Sequence, residues 1–108
     1  MKVSIENKGA NTIAAIEGSI DSQTAPALQE SILPAINESS RIVLDMSEVT
    51  FVSSAGLRVL LMVYRQVKAR DGKVVLVGVS DEIKDVMFMT GFISFFEISA
   101  TMEEALSN

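Results

Sequence analysis

Residues 41–61 read RIVLDMSEVTFVSSAGLRVLL, and this stretch decides the fold. Its opening residues are mostly apolar β-formers, which is typical of a buried strand. A mixture of polar and apolar residues follows over 47–52 and leads to Ser-Ser-Ala-Gly at 53–56. From Leu57 onward, apolar residues recur at the spacing of one helix face. The stretch therefore predicts a buried strand, a turn that contains two serines, and an amphipathic helix.

The segment before this stretch predicts a hairpin and a helix. Two short β-forming runs, at 3–5 and 13–16, are separated by a turn, so we expect an antiparallel pair that ends at Gly18. Candidate N-cap residues at 21–24 then precede an apolar stripe at helical spacing. Pro34 lies within that stripe, and we expect it to kink or shorten the helix.

The segment after the central stretch alternates strands and helices again. Residues 73–79 are nearly all Val, Leu and Gly, which predicts a strand buried on both faces. Ser80 is suited to begin the next helix and Gly91 to end it. We expect a last strand over 92–98 and a short final helix that starts in the capping-box pattern of 101–104.

The predicted order of elements is β-β-α-β-α-β-α-β-α. Strand–helix–strand units with short connections imply parallel neighbouring strands and right-handed crossovers. The predicted fold class is therefore α/β, with a mixed, mostly parallel sheet of about five strands packed with about four helices. The chain has 108 residues, of which 48% are hydrophobic and 21% charged, and this predicts one globular domain.

Charge and composition exclude several classes of function. Nine Lys and Arg against fourteen Asp and Glu give a net charge of −5 without a basic cluster, so we expect no nucleic-acid partner. The absence of His and Cys excludes imidazole bases, Ser-His-Asp triads, thiol nucleophiles and Cys/His zinc sites. We therefore expect no catalytic residue, no metal and no cofactor. No signal-peptide pattern or membrane-spanning run is visible, so we expect a cytoplasmic protein without membrane insertion.

The serine pair at the strand-to-helix turn is the most informative feature. Serine is a common helix N-cap, and the commoner role of such a hydroxyl is to accept a backbone N–H there. The functional hypothesis is phosphorylation, because a phosphate would meet unpaired N–H groups and the positive end of the helix dipole. Arg58 follows Ser54 by one turn on nearly the same side, so it is placed to contact that phosphate.

The same helix has a second, outer side that holds Ala55, Arg58, Met62 and Arg65. Small, cationic and flexible apolar side chains together form a suitable docking face for a partner. The alternative is that Met62 is an isolated exposed apolar residue and that both arginines are simply solvated, which is common on protein surfaces.

The central stretch resembles the signature of STAS domains, the family of anti-sigma factor antagonists and of related cytoplasmic domains of sulphate transporters. The resemblance is carried by 43–46 and 49–61, which read VLDM and VTFVSSAGLRVLL. Residues within 18–28 match the first β–α junction of the family, and Gly72-Lys73 together with residues in 90–96 match its C-terminal half. The resemblance covers almost the whole chain and implies a single STAS domain over 1–108.

The resemblance also implies a partner-switching mechanism. In that family the unmodified domain binds an anti-sigma factor that is also a serine kinase of the histidine-kinase ATPase fold, and the sigma factor is released. The kinase phosphorylates the serine that aligns with Ser54, and the complex dissociates. A PP2C-type serine phosphatase restores the free form.

This sequence differs from the family pattern at one of the predicted site residues. The best-studied members have Asp where this chain has Ser53, so Ser53 is the second choice for phosphorylation after Ser54. Asp21 aligns near the site and is carried over only as a binding-surface residue. The predicted partner-binding residues are Asp21, Ser53, Ala55, Gly56, Arg58 and Met62.

Two other functions compete with this hypothesis. A serine between a strand and a helix resembles a hydrolase nucleophile elbow, but the first Gly of that motif and a His base are both missing. Some STAS-like domains are subunits of membrane lipid-transport or stress-signalling complexes that do not use a phosphorylation switch, and fold alone does not separate these roles.

Overall fold

The computed structural model describes residues 1–36 and 40–107. Strands and helices alternate along most of the chain. In order, they are β1 Lys2–Lys8, β2 Asn11–Ile20, α1 Ala25–Ile36, β3 Arg41–Val52, α2 Ser54–Lys68, β4 Lys73–Val77, α3 Asp81–Thr90, a 3-10 turn Phe92–Phe95, β5 Glu97–Ser99 and α4 Met102–Ser107.

The strands form one sheet in the order β1-β2-β3-β4-β5. β1 is antiparallel to β2, and the remaining neighbours are parallel. Within the described ranges the sheet has five strands and is accompanied by four α-helices, which confirms the predicted α/β class and the mixed, mostly parallel sheet.

The apolar core lies on both faces of the central strands, because successive side chains of a strand point to opposite faces. On β3, Ile42 and Leu44 belong to the larger cluster, which also contains the buried residues of α1, α2 and α3. Val43 belongs to a smaller cluster with Ala105 of α4. Three helices therefore cover one face of the sheet, and α4 covers part of the other.

Two strands are longer than the sequence predicts. β2 continues through Gly18, which has φ 99° and lies at an irregularity in the pairing with β3, so pairing resumes up to Ile20. β3 also continues over 47–52, where polar residues face solvent beside the extended β2. This extension carries the ends of both strands to the position of the candidate site.

Pro34 lies inside α1, which continues to Ile36; it is exposed, and the carbonyl group that it leaves unpaired belongs to exposed Glu30. Two other expectations are wrong in detail. Residues 92–95 form a 3-10 turn, not a strand, because Gly91 ends α3 with φ 80° and the Phe95 side chain then packs on the Tyr64 ring. The strand over 73–79 stops at Val77, before Gly78 with φ 70°.

α3 presents an apolar surface that the sequence pattern does not predict. Helical spacing places Val86 on its inner side, but the buried residues of α3 are Ile83 and Met87. Phe88 and Met89 are 73% and 83% exposed, and Val86 is 41% exposed.

Candidate functional site

The site lies where two parallel strands end side by side. Ile20 at the end of β2 pairs with Val52 at the end of β3. The backbone N–H of Ser53 donates to the Ile20 carbonyl oxygen at 2.9 Å, which extends the pairing by one residue. Asp21 and Ser53 therefore follow directly after these two strands and lie at the same edge of the sheet.

The two serines have different roles at the start of α2. Ser53 is the N-cap, with φ −87° and ψ 177°, and its Oγ accepts the Gly56 backbone N–H at 3.3 Å. Ser54 is the first residue of the helix and is exposed. In the part of the chain that the structure describes, its hydroxyl has no hydrogen-bond partner. Capping therefore occupies Ser53 and leaves the Ser54 hydroxyl available.

Gly56 lets α2 approach the strand ends closely. A Cβ atom at this position would lie 2.5 Å from the Ile20 carbonyl oxygen and 2.9 Å from side-chain carbons of Ile20 and Val52. Gly56 is buried, so it lies beneath the surface and fixes the position of Ser54. The sequence analysis predicts Gly56 as a partner-binding residue. In the structure it lies beneath that surface and positions Ser54.

Asp21 closes the turn that leads into α1. Its Oδ1 accepts the backbone N–H groups of Gln23 at 2.9 Å and Thr24 at 3.1 Å. In return, the Thr24 hydroxyl accepts the Asp21 N–H at 2.9 Å and donates to the Ser19 carbonyl oxygen at 2.8 Å. This reciprocal pattern is a capping box in which Thr replaces the usual Glu or Gln.

These hydrogen bonds keep Asp21 charged. The backbone N–H groups of Thr24 and Gln23 stabilise the carboxylate and hold the pKa of Asp21 below its ordinary value. A negative charge therefore stands beside the serine turn at neutral pH.

This lowered pKa predicts an acid-dependent contribution to stability. The contribution is complete above the unfolded-state pKa of about 3.9 and is lost as the pH falls through the lower folded-state value. We expect wild type to exceed Asp21→Asn in unfolding free energy at pH 7 and the difference to shrink as the pH falls below about 4, because Asn keeps an acceptor oxygen but not the charge. Urea unfolding of both proteins across this range measures the difference. A constant difference across the range would contradict the expectation.

The outer face of α2 borders two grooves. One, of about 350 Å³, runs between α1 and α2, and Ala55, Arg58 and Met62 line its α2 side. The other, of about 620 Å³, follows α2 past Leu61 and Arg65 and shares Arg58 and Met62 with the first. Met62 is half-buried and packs against the larger core cluster, so it is not an isolated exposed residue.

Sequence reasoning missed the contribution of α1 to this surface. Ser22, Pro26 and Gln29 form the opposite wall of the groove between α1 and α2. Helical spacing alone places Pro26 and Gln29 on one side of α1, but only the topology brings that side against α2. The capping role of Asp21 was visible in the sequence, where Asp21, Ser22 and Thr24 are candidate N-caps.

Comparison with known proteins identifies the family. The family model for the STAS domain matches residues 2–105. The chain belongs to the STAS domain family. A relative in Listeria monocytogenes, named anti-sigma-B factor antagonist, is 30% identical over 112 residues, which cover 100% of this chain and 98% of that protein. The STAS fold therefore accounts for the arrangement of sheet, helices and serine turn described above.

Solved structures agree with this assignment. A crystal structure of an anti-sigma factor antagonist from Mycobacterium paratuberculosis has a TM-score of 0.88 at 26% identity, covering 98% of this STAS domain and 91% of that chain. The Bacillus cell fate determinant SpoIIAA in its phosphorylated form has a TM-score of 0.76 at 21% identity, covering 98% and 97%, and shows the same fold. None of the helices within 1–36 and 40–107 is long and apolar enough to cross a bilayer.

Proposed function

We propose that this STAS domain is an anti-sigma factor antagonist in a cytoplasmic partner-switching pathway. Its unmodified form binds an anti-sigma factor that is a serine kinase of the histidine-kinase ATPase fold, and phosphorylation of Ser54 ends that binding. A PP2C-type phosphatase restores the active form. The family assignment and the name of the Listeria relative support the antagonist role. Its action is binding, with no chemical step of its own.

The observation that carries the proposal is that Ser53 is hydrogen-bonded as the helix cap and Ser54 is not. Ser53 caps α2, so a kinase that modified it would first have to break the Gly56 N–H bond. Ser54 is exposed at the first turn of the same helix, and its reaction breaks no hydrogen bond with the described residues. This geometry supports Ser54 over Ser53 as the acceptor.

A phosphate at Ser54 suits a switch that leaves the fold intact. The added charge of about −1.5 to −2 lies near unpaired N–H groups and the positive end of the α2 dipole, so the modified helix is stabilised. The same charge at the centre of an interface must be desolvated and repels any acidic partner surface. The domain therefore remains folded while its affinity for the partner falls.

Intact-mass analysis tests this proposal directly. We expect incubation with the cognate kinase and ATP to add one phosphoryl group to wild type and to Ser53→Ala, but none to Ser54→Ala. Ser53→Ala loses a cap but keeps the acceptor, so it separates capping from modification. Phosphorylation of Ser54→Ala, or none of wild type, would contradict the proposal. Stable partner binding without any phosphorylation would instead favour a STAS subunit of a lipid-transport or stress-signalling complex.

A further inference from the structure

The outer face of α2 is positively charged, although the protein as a whole is acidic. The chain has a net charge of −5, yet the two grooves beside α2 have Arg58 and Arg65 as their charged lining residues and no carboxylate. Both side chains are exposed, and neither makes an ion pair or hydrogen bond with residues in 1–36 or 40–107. Two uncompensated cations therefore flank half-buried Met62.

The shape and position of the surface define what it binds. The groove between α1 and α2 has apolar walls that include Pro26, Val59 and Met62. It lies between helices and away from a sheet edge, so strand addition is not available, and its apolar walls suit a helix-in-groove mode. Charge complementarity to Arg58 and Arg65 requires carboxylates on the occupant. The fitting partner is an amphipathic helix with an acidic edge.

Arg58 also stands within reach of the switch. Ser54 and Arg58 are four residues apart on α2, and side chains at this spacing have Cβ atoms about 5–6 Å apart. Helical side chains lean toward the N-terminus of their helix, which directs Arg58 toward the turn that holds Ser54. Arg65 lies 11 residues from Ser54, about 16 Å along the helix axis, and is out of reach.

We propose that Arg58 is a shared counter-ion: in the unmodified domain it pairs with a carboxylate on an acidic amphipathic helix of the anti-sigma factor, and after phosphorylation it pairs with the Ser54 phosphate instead. The proposal rests on the proposed function for the identity of the partner. Phosphorylation then acts twice, since it adds negative charge to the interface and removes a positive one. Guanidinium binds phosphate through strong, charge-assisted hydrogen bonds, so the exchange is favourable.

The ion pair between Arg58 and the Ser54 phosphate can be tested without the kinase. Phosphoserine is installed at position 54 during translation in wild type, Arg58→Gln and Arg65→Gln, and the phosphate is titrated by phosphorus NMR. We expect the second pKa of the phosphate, ordinarily about 6, to be lower by roughly half a unit in wild type and Arg65→Gln than in Arg58→Gln. The Asp21 charge is common to all three proteins. Equal values in all three would overturn the proposal.

The partner contact is tested with the unmodified proteins and the cognate anti-sigma factor. We expect Arg58→Gln and Arg65→Gln each to weaken binding several-fold and to reduce its salt dependence. Lys8→Gln, which removes the same charge at the end of β1, beside the start of β2 and at the other end of that strand from the serine turn, should bind as wild type does. Unchanged affinity of Arg58→Gln would overturn the proposal. Failure of the proposed function is seen separately, as the absence of kinase-dependent phosphate on Ser54 by intact mass.

Discussion

Replacing Ser54 with Asp is expected to weaken binding of the anti-sigma factor about a hundredfold or more, whereas Ser54→Ala binds it constitutively. A hundredfold loss corresponds to about 2.7 kcal/mol, and burying one carboxylate at the centre of an interface costs at least that much. Asp carries less charge than a phosphate, so phosphorylated wild type should bind more weakly still. Ser54→Ala loses no hydrogen bond to the described residues and should keep the affinity of the unmodified protein.

The matched control is the same substitution one residue earlier. Ser53→Asp places a carboxylate at the N-cap of α2, where Asp caps as well as Ser does, and points it at the Gly56 N–H. We expect Ser53→Asp to bind the anti-sigma factor far better than Ser54→Asp does. Titration of the variants by calorimetry measures the affinities, and thermal unfolding confirms that each is folded. Equal affinities for Ser54→Ala and Ser54→Asp would contradict the switch.

Local signals predicted most of the fold. The helix-capping roles of Ser80 and Gly91 are confirmed, because a cap depends on neighbouring backbone groups that the sequence itself places. Thr101 likewise accepts the Glu104 backbone N–H at 3.2 Å, as the capping-box pattern predicts. The parallel pairing of neighbouring strands from β2 to β5 follows from the alternation of strands and helices, since strand–helix–strand units with short connections imply parallel neighbours.

The missed features depend on contacts between distant residues. Residues 92–95 have strand propensity, but the packing of Phe95 on Tyr64, at 5.2 Å between ring centroids, favours a 3-10 turn. Sequence alone also left open which serine caps α2. That choice depends on the Ser53 N–H bond to the Ile20 carbonyl oxygen, which joins segments 33 residues apart in the chain. The candidate surface was only partly predictable, because its second wall comes from α1.

Gly56→Ala is expected to have the second large effect, a loss of stability, although helix propensity and packing predict opposite changes in the unfolding free energy. Helix propensity alone predicts that Ala is more favourable than Gly by about 1 kcal/mol inside a helix. The added Cβ would, however, lie 2.5 Å from the Ile20 carbonyl oxygen, which is backbone and cannot move aside as a flexible side chain does. Overpacking of this kind costs about 1–3 kcal/mol, so we expect a net loss of stability.

The same substitution should also impair the switch. To relieve the clash, the first turn of α2 must move away from the ends of β2 and β3, which lengthens the Ser53 N–H bond to Ile20 and displaces Ser54. We expect slower phosphorylation of Ser54 and weaker partner binding in addition to a lower urea midpoint. For stability, Ala55→Gly is the control, because it changes helix propensity at the neighbouring residue by a similar amount in the opposite direction without adding an atom. If Gly56→Ala raised the unfolding free energy, propensity would outweigh the close approach, and Gly56 would not be what positions Ser54.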